Sequence, residues 1–119
     1  MIKFTRIVEN NQYVNVGVAQ LDTELVYLTE NNKQVGSLLL VYEPNKASVF
    51  SLEVLKDHRK KGYGRKLMEN AIERAKQMNC QIVELNTDID NTGANKLYQS
   101  MGFELVGLKD GFNNYIKKI

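Results

Sequence analysis

The six residues Arg59-Lys60-Lys61-Gly62-Tyr63-Gly64 have the chemistry of an anion cradle. They stand between an apolar, strand-like run, Val49 to Leu55, and a segment of helical spacing that begins near Tyr63. Two glycines allow a backbone to approach a ligand closely. The first-turn N–H groups of the following helix lack partners within it and can face a negative charge. Six of the sixteen Lys and Arg residues lie between Lys56 and Lys66 (Lys56, Arg59, Lys60, Lys61, Arg65 and Lys66), against one acid, Asp57. In a chain of net charge +2, that local excess points to a local polyanionic ligand. The spacing is not that of a G-x-x-x-x-G-K-[ST] phosphate loop. Nor is it a dinucleotide fingerprint, because Leu67 occupies the place of the third glycine. By itself the segment also fits a solvated basic turn opening a surface helix.

The elements that must hold this turn follow from periodicity. In the N-terminal half, apolar and polar residues alternate with period two. Ile2 to Ile7 reads as one strand and Tyr13 to Leu21 as another, with Val14, Val16 and Val18 alternating. Leu25 to Thr29 and Gln34 to Tyr42 flank Glu30-Asn31-Asn32-Lys33, a hairpin turn of residues tolerant of positive φ. Glu43-Pro44-Asn45-Lys46 makes the next turn and Ala47 to Leu55 the next strand. The period then changes. Leu67, Met68, Ala71, Ile72, Ala75 and Met78 recur at helical spacing, with Asn79 as a stop. Gln81 to Leu85 is a short strand. Asp90 or Asn91 can cap a second helix carrying Ala94, Leu97, Tyr98 and Met101, with Gly102 past its end. Short strands near Phe103 to Leu108 and Asn114 to Ile119 complete an α+β fold, a mixed sheet flanked by helices.

Residues 1–119 are expected to form one domain, and 43% apolar with 25% charged residues is ordinary for a globular fold. The longest near-continuous apolar run, Leu38 to Tyr42, is too short to span a bilayer. The N-terminus lacks the apolar stretch of a secretory signal. Cys80 is the only cysteine and reads as a core residue. It leaves no internal disulfide and no Cys cluster for zinc, and with a single His no metal site is expected. A cytoplasmic location is the expectation.

A second segment, Asn91-Thr92-Gly93-Ala94-Asn95-Lys96-Leu97-Tyr98-Gln99-Ser100-Met101-Gly102-Phe103, follows the next strand by a few residues. With it, the chain resembles the GCN5-related N-acetyltransferase (GNAT) superfamily over roughly Leu25 to Ile119. Arg59, Gly62 and Gly64 match the family's [RQ]-x-x-G-x-[GA] acyl-CoA motif. Asn91, Ala94, Leu97, Tyr98, Gly102 and Phe103 match its N-x-x-A-x-x-L-Y-x-x-x-G-F element. The resemblance implies a central, mostly antiparallel mixed sheet and acetyl-CoA as co-substrate. The pyrophosphate would lie on the turn Arg59, Lys60, Lys61, Gly62, Tyr63 and Gly64, with Arg65 nearby. The pantetheine arm would run beside Val54 and Leu55, in a slot where that strand and Gln81 to Leu85 splay apart. Asn91 would both cap its helix and touch the arm. Tyr98 is implied as the general acid: a phenol with pKa near 10 stays protonated at neutral pH and can donate to a leaving thiolate whose thiol has a pKa of about 8.5.

The acceptor side departs from the pattern. Relatives often carry a Glu or His four or six residues ahead of the Val54 equivalent, where this chain has Phe50 and Ser48. Glu53 has the opposite parity on a regular strand and is expected to face away from the acceptor. Glu84 and Asp88 are further candidates for a base, and His58 reads as an exposed turn residue. Only about twenty residues precede Leu25, so the helical region between the family's first two strands is reduced. The expectation is an N-acetyltransferase acting on a primary amine of a small molecule, peptide or protein. The rivals are a silent acyl-CoA-binding module and a nucleic-acid binder using the basic patch, whose affinity would fall steeply with salt. A homodimer is expected through exposed sheet edges, the C-terminal strand above all.

Overall fold

The computed structural model describes residues 2–16 and 19–119, with side chains for residues 2–7 and 22–119. The elements are β1 (Ile2–Val16), β2 (Ala19–Glu30), β3 (Lys33–Glu43), β4 (Lys46–Val54), α1 (Tyr63–Gln77), β5 (Ile82–Asp88), α2 (Thr92–Ser100), β6 (Glu104–Lys109) and β7 (Phe112–Lys118). The strands form one sheet in the order β1-β2-β3-β4-β5-β7-β6. Asn31 and Asn32, at φ 51° and 67°, make the tight turn between β2 and β3, and Asn45 at φ 66° serves the next one. β4 and β5 are parallel because α1 crosses over between them, whereas every other pair is antiparallel. Asn79, at φ 62°, ends the first helical stretch as its residue type suggested.

Two expectations need correction. Ile2 to Ile7 and Tyr13 to Leu21 are not two separate strands. β1 runs on to Val16 and pairs with β2, with Val16 opposite Ala19; residues 17 and 18 lie outside the described residues. The polar stretch Glu9-Asn10-Asn11 interrupts the apolar alternation but not the pairing, since Glu9, Asn10 and Asn11 still face Thr23, Asp22 and Leu21. Among the described residues no helix lies between β1 and β2, in keeping with the reduced N-terminal region. The C-terminal strand, expected at an edge, is interior. The Asp110-Gly111 turn, at φ 53° and 82°, folds β7 back between β5 and β6 and buries Tyr115 completely. The sheet edges are β1 and β6.

Both helices pack on one face. α1 buries Tyr63, Leu67, Met68, Ala71, Ile72 and Ala75 against the sheet residues Val26, Leu28, Leu38 and Leu40. α2 adds Tyr98, whose ring meets Phe103 (centroids 6.0 Å) and Tyr115 (5.9 Å). Fully burying a side chain of this size contributes about 1.5–3 kcal/mol. α1 can approach β3 closely because position 36 is glycine. A Cβ there would lie 3.0 Å from both the Glu53 carbonyl oxygen and Leu67 Cδ1. By strand register the opposite face carries Leu25, Tyr27, Leu39, Phe50, Asn86 and Phe112, and no helix covers it among the described residues.

One charged group lies inside this packing. Glu24, 1% exposed, accepts bonds from Tyr42 Oη (2.7 Å), Arg6 (2.9 Å) and the Arg74 guanidinium (2.8 and 3.1 Å). Four elements, β1, β2, β3 and α1, meet at this carboxylate. Burial pushes its pKa up, but the bonds from Arg74 and Tyr42 and the charge of Arg6 outweigh burial and hold it below the ordinary 4.5. Its stabilising effect is therefore complete above that value and declines as pH falls through the depressed native one. Glu24→Gln should lower stability by about 3 kcal/mol, the low end for a broken buried pair because both guanidiniums are partly exposed. Urea titrations across acid pH should also show a shallower loss of stability in the variant than in the parent. Parallel curves would mean that Glu24 is not the group being titrated.

Candidate active site

The pairing of β4 with β5 stops early. It runs from Lys46 opposite Ile82 to Val49 opposite Leu85, although β4 continues to Val54 and β5 to Asp88. Beyond that point each strand follows its outer neighbour: Glu53 and Val54 pair with Ser37 and Gly36 of β3, and Asn86 to Asp88 pair with β7. The strands splay, as the family resemblance implied, and leave a cleft of about 670 Å³. A bulge drives the departure. Leu39 faces Phe50 and Ser37 faces Glu53, so Ser51 and Leu52 together oppose the single Leu38, with Ser51 at φ 55°.

The bulge also resets parity. In a regular strand Glu53 would lie on the opposite face from Phe50 and Ser48. The extra residue instead places all three on one face, opposite Ser37, Leu39 and Val41. The expected opposite parity of Glu53 is therefore wrong: it shares a face with Phe50 and Ser48 and lines the cleft with Phe50. A strand-period argument cannot register a bulge of this kind. The left-handed Ser51 carries no residue-type signal of the sort Gly or Asn would supply.

At the other end of the cleft lies the glycine turn. Leu55 N–H donates to the Val35 carbonyl (2.8 Å), a single 3₁₀ turn spans Lys56–His58, and Arg59 Nε donates to the Val54 carbonyl (3.0 Å). Gly62, at φ 78°, is the N-cap of α1, and no side chain caps that end. The first α1 amide with a carbonyl behind it belongs to Lys66, which donates to Gly62 (3.1 Å). The amides of Tyr63, Gly64 and Arg65 have no acceptor within the helix. No acid lies in that first turn to offset the positive end of the helix dipole.

Of the residues expected here, Val54, Arg59, Lys60 and Gly64 line the cleft. Leu55 lies outside it and is 41% exposed. Lys61 points to Glu30 (3.6 Å), over the Tyr63 ring, and Tyr63 is itself buried. Burial, then the bond to Glu30, raises the Tyr63 pKa. Arg65 donates to Ser100 Oγ and so ties α1 to α2. His58 is not exposed as expected: its side chain is largely covered and its Nδ1 lies 3.2 Å from Glu30, away from the cleft. Gly62 contributes backbone geometry. Cys80 is buried, as expected of a core residue.

Tyr98 lines the cleft, with its ring packed against Phe103 and Tyr115. Burial raises its pKa, which keeps the phenol protonated. Asn91 caps α2, its Oδ1 accepting from Ala94 N–H (3.1 Å), and it also lines the cleft. One positioning residue escaped the sequence reading. Asn95 donates to the carbonyls of Asp88 (3.1 Å) and Asn91 (2.8 Å) and accepts from Tyr115 Oη (2.6 Å) and Asn113 (3.0 Å). These bonds lock α2, and with it Tyr98, to the ends of β5 and β7. The only signal was a poor helix former inside a helix. Phe112, which lines the cleft from β7, gave no sequence signal at all.

Comparison with known proteins agrees with this geometry. Residues 7–103 match the model of the Acetyltransferase (GNAT) family. The chain is 30% identical over 102 residues to GCN5-related N-acetyltransferase 4, chloroplastic, of Arabidopsis thaliana, covering 86% of this chain and 33% of that protein. It is 27% identical over 106 residues to N-alpha-acetyltransferase 30 of Saccharomyces cerevisiae, covering 80% and 59%. It thus spans less than two thirds of either relative. In fold it is similar to the PaiA N-acetyltransferase of Thermoplasma acidophilum, solved in complex with coenzyme A. The TM-score is 0.78 at 18% identity, over 82% of this chain and 61% of that one. With a family match across most of its length, on the residues that build the cleft, this chain belongs to the GNAT acetyltransferase family.

Proposed function

We propose that this chain transfers an acetyl group from acetyl-CoA to a primary amine of a small molecule, peptide or protein, by direct attack in a ternary complex, in the cytoplasm. One observation carries the proposal. The ends of β4 and β5 that no longer pair with each other, Gly64 in the uncapped first turn of α1 and Tyr98 of α2 all line the same cleft. Backbone groups beyond Val49 and Leu85 offer ladder positions to an extended ligand. The α1 amides, with Arg59 and Lys60, offer compensation for a diphosphate. Gly64 fits the same role. A Cβ there would meet only Leu97 Cδ2, at an ordinary 3.5 Å, so the fold does not itself require glycine at this position.

Acetyl-CoA supplies the activated acyl group as a thioester. The chain's own residues position it and manage protons. Tyr98 keeps its proton at Oη at neutral pH and presents it to the departing sulfur. The amine must first lose a proton, which costs about 4–5 kcal/mol for a lysine-like pKa of about 10.4. Carboxylates at the cleft can lower that cost.

Incubation with acetyl-CoA and a panel of amines, with free thiol as the readout, tests the activity. Coenzyme A binding without thiol release would favour a silent binding module. Tyr98→Phe keeps the ring packing and should reduce kcat roughly 100-fold, with coenzyme A affinity within about twofold of the parent. An undiminished kcat would remove the phenol from the chemistry. The motif accepts alanine at this place, so Gly64→Ala should leave stability unchanged or raise it by up to about 1 kcal/mol, with coenzyme A affinity within about twofold of the parent. Gly64→Glu brings bulk and negative charge to the first turn of α1 and should weaken coenzyme A binding at least roughly tenfold in calorimetry. Full affinity in a folded Gly64→Glu protein would place the diphosphate elsewhere.

A further inference from the structure

The glycine turn is gripped by a carboxylate that lies outside the cleft. Glu30 is the last residue of β2, fixed in the sheet opposite Ile2 of β1 and Lys33 of β3. It gathers three residues of the segment that leads into α1. His58 Nδ1 lies 3.2 Å from Glu30 Oε2, and Lys61 Nζ lies 3.6 Å from the same oxygen. The Tyr63 hydroxyl donates to the carboxylate as well, and that bond does most to hold the Glu30 pKa below 4.5. Lys61 Nζ also sits 5.9 Å over the Tyr63 ring, so the contacts close into one cluster. None of Glu30, His58, Lys61 and Tyr63 is part of the cleft lining.

The turn needs an outside hold because its own backbone supplies little. Among the described residues, no main-chain N–H from Lys60 to Arg65 donates to a main-chain carbonyl, and the bonding resumes at Lys66. Lys60 and Gly62 both have left-handed backbone, at φ 64° and 78°. For Lys60 that conformation is unfavourable and persists only where its surroundings impose it. Glu30 grips residues 58, 61 and 63, and so brackets both left-handed positions. The same contacts draw Lys61 out of the cleft, while its neighbours Arg59 and Lys60 line it.

We infer that Glu30 is a positioning residue for the diphosphate: from the end of β2 it holds the glycine turn in its binding form before the ligand arrives. The identity of the ligand comes from the N-acetyltransferase proposal, on which this inference rests. A turn held in advance spares the ligand the cost of ordering it, and the saving appears as affinity. Charge acts in the opposite direction. A carboxylate near a diphosphate repels it, and Lys61 at 3.6 Å only offsets that repulsion. A loss of affinity on removing Glu30 therefore reports the geometry it imposes and not its charge.

Calorimetry with coenzyme A on Glu30→Ala and Glu30→Gln tests this. Electrostatics alone gives tighter binding in both variants, since each removes a negative charge and releases Lys61. Positioning gives the reverse. Affinity should fall roughly tenfold in Glu30→Ala and about threefold in Glu30→Gln, whose side-chain oxygen still accepts from Tyr63. Pantetheine, the same arm without the diphosphate, should bind each variant within about twofold of the parent by NMR titration. In turnover the loss should fall on KM for acetyl-CoA and not on kcat. Unchanged or tighter coenzyme A binding, or an equal loss for pantetheine, would overturn the role. Should the alanine variant not fold, the glutamine variant decides by the same signs. If the parent binds no coenzyme A, the transferase reading is what fails, and trypsin then decides the hold on the turn. Cleavage after Arg59, Lys60 or Lys61 that is several-fold faster in the variants, once corrected for global stability in urea, supports it. Equal cleavage overturns it.

Discussion

The backbone ladder between β4 and β5 ends at Val49 and Leu85, and the arrangement of the cleft follows from where it ends. Main-chain N–H and C=O groups need partners, so two strands that part must be held apart by something. Here β3 holds the end of β4 and β7 holds the end of β5, each through its own continuing pairs. The slot is thus fixed from both sides by intact sheet, while its inner edges keep their hydrogen-bonding capacity for a ligand. The Ser51–Leu52 bulge makes this geometry consistent. It bends β4 away from β5 and turns Glu53 onto the same face as Phe50.

The two helix N-termini beside the slot are treated differently. Asn91 satisfies the start of α2 with its own side chain, and Asn95 fastens the helix to β5 and β7. That end is structural, and it holds Tyr98 in place. The start of α1 has a glycine cap, no acid and three amides without internal acceptors, so it is left open. α1 is held to the sheet further along, where Arg74 joins Arg6 and Tyr42 on the buried Glu24. A helix anchored through its last turn can leave its first turn open.

Helices cover only one face of the sheet among the described residues. With no described helix between β1 and β2, the side of the slot away from α1 is open, and its half-exposed phenylalanines and carboxylates face outward. This chain also spans only part of the length of the relatives it matches.

Local chemistry was legible along the chain. Paired asparagines marked the hairpin, Asn79 the helix stop, Asn91 the cap, and Gly64 and Tyr98 the lining of the cleft. Each depends on interactions within a few residues, where residue type constrains backbone conformation directly. The extent of β1, the interior position of β7, the face occupied by Glu53 and the roles of Asn95 and Phe112 were decided by tertiary structure. Each turns on which distant strand lies alongside and in what register, and a single extra residue in β4 is enough to reverse the face. Sequence period records that residues alternate, whereas only the paired neighbour decides where the alternation slips.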